Sequence, residues 1–157
     1  AAPRSMGGLL TFITDNSVNA GGTIAKSDID NAMEYAYNDG GYPDLLVMNP
    51  GPARDLKDLI DTSNYVHLSY ENDQIGMQPI KRVVTQYGEL QLIMSRFCPV
   101  SKAFLLQSDR VGLYTLRPFG WKDLATDGDS ERVEVVGEFS LMVANDKAHA
   151  WVYGITS

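Results

Sequence analysis

The sequence predicts an α+β fold with its helices early and its strands late. Two observations carry that prediction. Residues 27–38 and 52–60 repeat apolar side chains at helical spacing, each with start or stop signals. From Ile80 onward the period changes to two and stays there to the end of the chain.

The elements follow in order. The apolar start, Leu9 to Ile13, is too short and too close to Gly7-Gly8 for a signal peptide, and Asp15 follows at once. Residues 14–26, with Asn, Ser, Gly-Gly and Thr, read as a loop. Ser27 is an N-cap candidate, with Asp28 and Asp30 in the first turn. Ile29, Met33 and Ala36, with Ala32 beside them, give the helix its apolar face. Gly40 or Gly41 supplies the left-handed cap after Asn38. Leu45 to Met48 reads as a short buried strand. Asn49 to Pro52 is a turn, and Pro52 opens a second helix whose Leu56, Leu59 and Ile60 share a face. Residues 61–79 are mixed, with a possible strand at Tyr65 to Tyr70.

Residues 81–97 read as a hairpin reversing at Gly88-Glu89. Lys102 to Leu106 and Val111 to Leu116 are further strands. From Glu131, one face carries Val133, Val135, Phe139, Leu141 and Val143. The other carries Glu134, Val136, Glu138, Ser140 and Met142. With Asn145-Asp146 as turn signal, Glu131–Ala144 is expected to pair with Ala148–Ile155 as an antiparallel ribbon.

Bulk properties narrow the function. The chain has 157 residues, 44% hydrophobic and 21% charged, a globular balance with enough length for a core. A net charge of −7 argues against wrapping nucleic acid or lying on an anionic membrane. Cys98 is the single cysteine, so no internal disulfide forms. No apolar run reaches the ~20 residues a membrane helix needs.

Reactive motifs are missing: no Walker loop, dinucleotide glycine pattern, paired-cysteine zinc site, nucleophile elbow or His-Glu-x-x-His occurs. The expected catalytic, cofactor and metal residues are therefore none. His67 and His149 could share a metal only with carboxylate help, and ordinary imidazoles are the favoured reading. Cys98, near Arg96 and Lys102, is favoured as a packed thiol over a catalytic thiolate. Asp127, Asp129 and Glu131 around Gly128 could chelate calcium but lack the rest of an EF-hand loop, so a solvated turn is favoured. Tyr114, Phe119 and Trp121 could form a ligand platform, and core or subunit contact is favoured over it.

One combination of residues is more specific. Leu116-Arg117-Pro118-Phe119, Leu124, Gly128-Asp129, Val136-Gly137-Glu138-Phe139-Ser140-Leu141 and Asn145-Asp146-Lys147-Ala148 together resemble the carboxyl-terminal signature of tailed-bacteriophage major capsid proteins with the Hong Kong 97-type fold. Arg4-Ser-Met-Gly-Gly8, the Gly40-Gly41 helix end, Pro43 to Pro50, and Tyr87-Gly88 with Arg96 are similar to further stretches of that family. The resemblance implies an axial-domain sheet with flanking helices, plus the long terminal β-ribbon of the peripheral domain. Residues 1–157 would be a single capsid-type domain. The amino-terminal arm, extended loop and spine helix would belong before Ala1 and are expected to be absent.

The resemblance also implies a structural subunit, not an enzyme. It would form hexamers and pentamers of an icosahedral head that encloses double-stranded DNA without gripping it. Other virion proteins are possible partners, with no membrane. The location would be the virion capsid, after synthesis in the bacterial cytoplasm. An encapsulin-like shell and a small cytosolic ligand-binding or enzymatic α+β domain stand as alternatives.

Overall fold

Apolar segments of both periods meet in one central sheet. The structure, a computed structural model, describes residues 5–62, 82–124, 128 and 132–156, without the side chains of 60–62. Its elements run α1 (Leu9–Phe12), β1 (Ser17–Gly22), α2 (Lys26–Asn38), β2 (Leu45–Met48), α3 (Pro50–Thr62), β3 (Arg82–Thr85), β4 (Gly88–Met94), β5 (Lys102–Leu106), β6 (Val111–Asp123), β7 (Val133–Val143) and β8 (Ala150–Ile155). Six strands form one sheet in the order β1-β8-β5-β2-β4-β3, and β6 pairs with β7 as a separate ribbon. The fold is α+β, as expected. The possible strand at Tyr65 to Tyr70, and with it His67, lies outside the described residues.

Helix α2 begins one residue before the expected N-cap. Asp28 accepts the Ala25 N–H at 2.9 Å through its carboxylate, while the Asp28 N–H donates to Ala25 O at 3.1 Å. The helix ends in a Schellman motif: Gly40 takes φ +82°, Gly40 N–H donates to Tyr37 O, and Gly41 N–H donates to Ala36 O at 2.8 Å. Ile29, Ala32, Met33 and Ala36 are all buried, as their spacing requires. Helix α3 starts at Pro50 rather than Pro52. The Asn49 carboxamide oxygen accepts the Gly51 N–H at 3.3 Å, and two prolines in the first turn cost no helical donor. Ala53 and Leu56 form its buried face, whereas Leu59 is exposed, against expectation.

The sheet is apolar on both sides. Toward the helices it presents Leu46, Met48, Val83, Leu90, Ala103, Leu105, Ala150 and Val152. Its other face carries Leu45, Val47, Phe104, Leu106 and Trp151, packed with Leu9, Ile13, Cys98, Val111 and Val143. Strand β5 sits between β8 and β2, which explains its unbroken apolar run Ala103 to Leu106.

Three expectations about the strands are corrected here. The stretch read as a loop contains β1, which pairs parallel to β8 with Ser17 opposite Trp151 and Val18 opposite Val152. Its local sequence is a weak strand former, and only the neighbouring strand makes it one. Second, β7 does not pair with β8. Asn145 takes φ +62°, residues 146–148 form a 3₁₀ turn, and β8 enters the sheet between β1 and β5. Ala150 and Val152 are fully buried there. A six-residue strand apolar on both faces belongs inside a sheet. The eleven-residue β7 instead needs a partner of its own length and finds it in the thirteen-residue β6. The β3–β4 hairpin forms as expected, but Thr85 pairs with Gly88, so it reverses at Gln86-Tyr87.

Candidate interaction interface

The ribbon has two unlike faces. Val111 lies opposite Val143, Leu113 opposite Leu141, Thr115 opposite Phe139, Trp121 opposite Val135 and Asp123 opposite Val133. Directly paired residues share a face, so these define one surface. Gly112–Met142, Tyr114–Ser140, Arg117–Glu138, Gly120–Val136 and Lys122–Glu134 define the other. The first surface is apolar almost from root to tip. The second carries all the paired charges except Asp123, including an Arg117–Glu138 ion pair at 3.8 Å.

The register between the halves shifts twice on β6, between Thr115 and Arg117 and again between Arg117 and Gly120. From Thr115 to Gly120, β6 advances five residues while β7 advances three, from Phe139 to Val136. One extra residue would turn all later side chains to the opposite face. Two extra residues restore the parity, and Trp121 returns to the face of Leu113. Pro118, which cannot donate to a ladder, sits in this irregular stretch.

Phe119 and Phe139 pack at 4.9 Å between ring centroids, over Gly137. A Cβ on Gly137 would lie 2.7 Å from Phe119 Cδ1 and 3.0 Å from Phe139 Cε2. Glycine is therefore required for the two rings to close over the strand. Beyond them the surface is bare. Trp121 is 81% exposed, Phe119 74% and Leu113 68%. At its root, Val111 and Val143 join the apolar layer on the side of the sheet that α1 covers, opposite α2 and α3. One apolar surface thus begins under α1 and continues out along the ribbon. A lone two-stranded ribbon is at best marginal in water, and an exposed stripe of this kind marks a surface that another polypeptide covers.

The other candidates resolve differently. Of the three proposed platform aromatics, Phe119 and Trp121 share the apolar face and Tyr114 lies on the opposite one. Cys98 is buried, with Sγ 3.5 Å from Lys102 O, and burial pushes its thiol pKa up. A raised pKa is the reverse of what an activated thiolate needs. Arg96 stacks on Phe97 at 5.7 Å, and Lys102 Nζ lies 5.0 Å from the Trp151 ring centroid, so neither serves the thiol as a partner. His149 is fully buried, with Nδ1 accepting the Gln107 N–H at 3.1 Å. Asp127, Asp129 and Glu131 lie outside the described residues. Among the described residues, no group of three or more His, Cys, Asp or Glu side chains could hold a metal ion. No helix among them is long and apolar enough to cross a membrane.

The sequence favoured core or subunit contact for Trp121 but did not show how far β6 extends, and hence not that Leu113 and Trp121 share one face. The signal was there, since Val111, Leu113 and Thr115 alternate. Pro118 and the two register shifts broke the period before Trp121.

A sheet covered on both faces, with a long ribbon whose apolar side is left open, is the build of a protein that completes its core by assembly. Comparison with known proteins gives the same class. The chain belongs to the SU10 major capsid protein family, whose model matches residues 1–156. Its fold is of the Hong Kong 97-type shell class. Among solved structures it is similar to the holo-SrpI encapsulin complex from Synechococcus elongatus PCC 7942. That match has TM-score 0.62 at 14% identity and covers 94% of this chain and 56% of that one. The virus-like particle from Pyrococcus furiosus matches more loosely, with TM-score 0.44 at 16% identity over 80% of this chain and 47% of that one. The chain therefore spans little more than half the length of the encapsulin. No curated protein sequence is a significant match. The encapsulin likeness carries the fold alone and does not favour an encapsulin-like shell over a phage capsid.

Proposed function

We propose that residues 1–157 act as one capsid-type unit in the wall of an icosahedral phage head, built from hexamers and pentamers around double-stranded DNA. The observation that carries this reading is the continuous apolar surface from the α1 side of the sheet to Trp121. In the shell that surface is buried against neighbouring polypeptide, and burial of each large side chain contributes about 1.5–3 kcal/mol. The acidic chain encloses DNA without gripping it, because phosphate binding needs a cationic surface. No catalytic centre is required: shell stability comes from many repeats of the same contacts.

Tryptophan emission tests the reading. With Trp151→Phe, Trp121 is the single indole of residues 1–157. Its emission should shift to the blue when dissociated subunits assemble. Identical spectra before and after assembly would count against burial of this surface.

A further inference from the structure

Two backbone ladders part at His149. In the sheet, β5 and β8 run antiparallel up to Leu105 opposite Ala150. In the ribbon, pairing begins at Val111 opposite Val143, and Ala144 N–H donates to Arg110 O at 2.8 Å. The chain crosses between them through two 3₁₀ turns, residues 108–110 outward and 146–148 on the return. At this neck the next donor beyond the sheet ladder is the Gln107 N–H, and it is taken by an imidazole rather than a carbonyl. His149 Nδ1 accepts it at 3.1 Å. We propose that His149 is an acid-sensitive latch that holds the ribbon at a set angle to the sheet and releases it when the ring gains a proton.

The chemistry is direct. A neutral imidazole accepting at Nδ1 carries its proton on Nε2, and protonation turns Nδ1 into a donor facing another donor. Nε2 is buried and has no hydrogen-bond partner, so the closed neck offers the charged ring no compensation there. The charged groups facing the ring are Asp109 and Arg110 from the outward turn and Asp146 from the return turn. Burial first, and then Arg110, hold the imidazole pKa below its ordinary value, and the two aspartates offset this only in part. The α2–β2 connection meets this turn through backbone, Gly41 against Ala148. The loop before β1 contributes the neutral Asn16, whose Nδ2 donates to Lys147 O at 2.8 Å and His149 O at 3.2 Å. On the far side, the Asp44 carboxylate accepts from both the Ser108 N–H and the Ser108 hydroxyl at 2.6 Å. The His149 bond lies between these fixed points.

The folded pKa is depressed and the group is a base, so the open neck binds the proton more tightly than the closed one. Closure is complete above the ordinary value of about 6.5 and weakens as pH falls toward the folded value. In that window opening rises about tenfold per pH unit, one proton being taken up.

Hydrogen exchange on the whole chain tests this, with rates corrected for intrinsic pH dependence. The Gln107 and Ala144 amides should lose protection about tenfold per unit below pH 6.5, while Leu46 and Leu90 in the sheet keep theirs. His149→Asn keeps an acceptor for Gln107 but cannot titrate, and should abolish the pH dependence. Loss of protection persisting in that variant, or no acid-dependent loss in the parent, would overturn the proposal. Should H149N not fold, the imidazole signal of His149, isolated by His67→Gln, decides. Titration well below 6.5 coinciding with loss of Gln107 protection supports the latch, and titration at the ordinary value refutes it.

Discussion

Phe119 lies across Gly137, a residue on the opposite strand with no side chain to meet it. A Cβ at Gly137 would come within 2.7 Å of the Phe119 ring. The contact lays the Phe119 and Phe139 rings over the strand and shapes the middle of the apolar surface. Gly137→Val should push Phe119 off the strand and change the contour that assembly uses. β6 is exposed here, β7 is only half-buried and the Phe119 ring can swing outward, so the thermal midpoint of the dissociated subunit should move little. Particle yield by light scattering should fall. Normal particles from G137V would show that this contour does not matter.

Trp121→Glu places a charge where the apolar surface is barest. In the dissociated subunit the change should be within about 0.5 kcal/mol by urea unfolding, as for other exposed sites. Assembly should drop sharply, because an unpaired charge would be buried in every repeated contact. Tyr114→Glu, on the opposite face of the same strand, is the control and should assemble far better.

Gly41 touches Ala148 backbone to backbone, where a Cβ would lie 2.6 Å from Ala148 Cα. Neither partner can rotate away, unlike the rings over Gly137. Gly41→Ala should therefore destabilise by about 1–3 kcal/mol through overpacking. The urea midpoint should fall with no change of slope.

Asp30 sits on α2 with Oδ1 buried and without a hydrogen-bond partner. Burial raises its pKa above the ordinary aspartate value, and Lys26 offsets this in part. An acid with a raised folded pKa supports folding when protonated and loses that support as pH rises through the folded value. Asp30→Asn should thus raise stability slightly at pH 7, by up to about 0.5 kcal/mol. The gain should vanish below pH 3.8, where the carboxyl is protonated in both states. A gain unchanged across that range would assign the effect to packing instead.

Cys98 should react slowly with a thiol reagent in the native protein at pH 8 and rapidly in urea. Burial both shields the sulfur and raises its pKa, leaving little thiolate. Equal rates in the two states would mean that the loop carrying Cys98 opens freely.

Local pattern was enough for several parts of the molecule. Ile29, Ala32, Met33 and Ala36 announced the buried face of α2, and the Gly40-Gly41 pair its end, the structure choosing Gly40, because a helix repeats every few residues and its cap needs φ > 0. Strand β5 and both faces of β7 were equally legible from alternation and apolar runs. The capsid-like residue combination at 116–148 pointed to a shell protein, through its resemblance to a capsid family.

Partnership was not legible. Which strand pairs with β7, whether Ser17–Gly22 is a strand, and which aromatics share a face all depend on residues far apart in the chain. Trp121 joins Leu113 only because two register shifts cancel, and a shift is a property of two strands, not of one. The same holds for His149. Its sequence neighbours say nothing of Gln107, and only the closing of β5 against β8 brings the ring to that amide. Sequence by itself determined the periodicities, because those are set by backbone geometry within one segment. Tertiary structure alone decided the pairing, because pairing energy lies in contacts that exist only once distant segments meet.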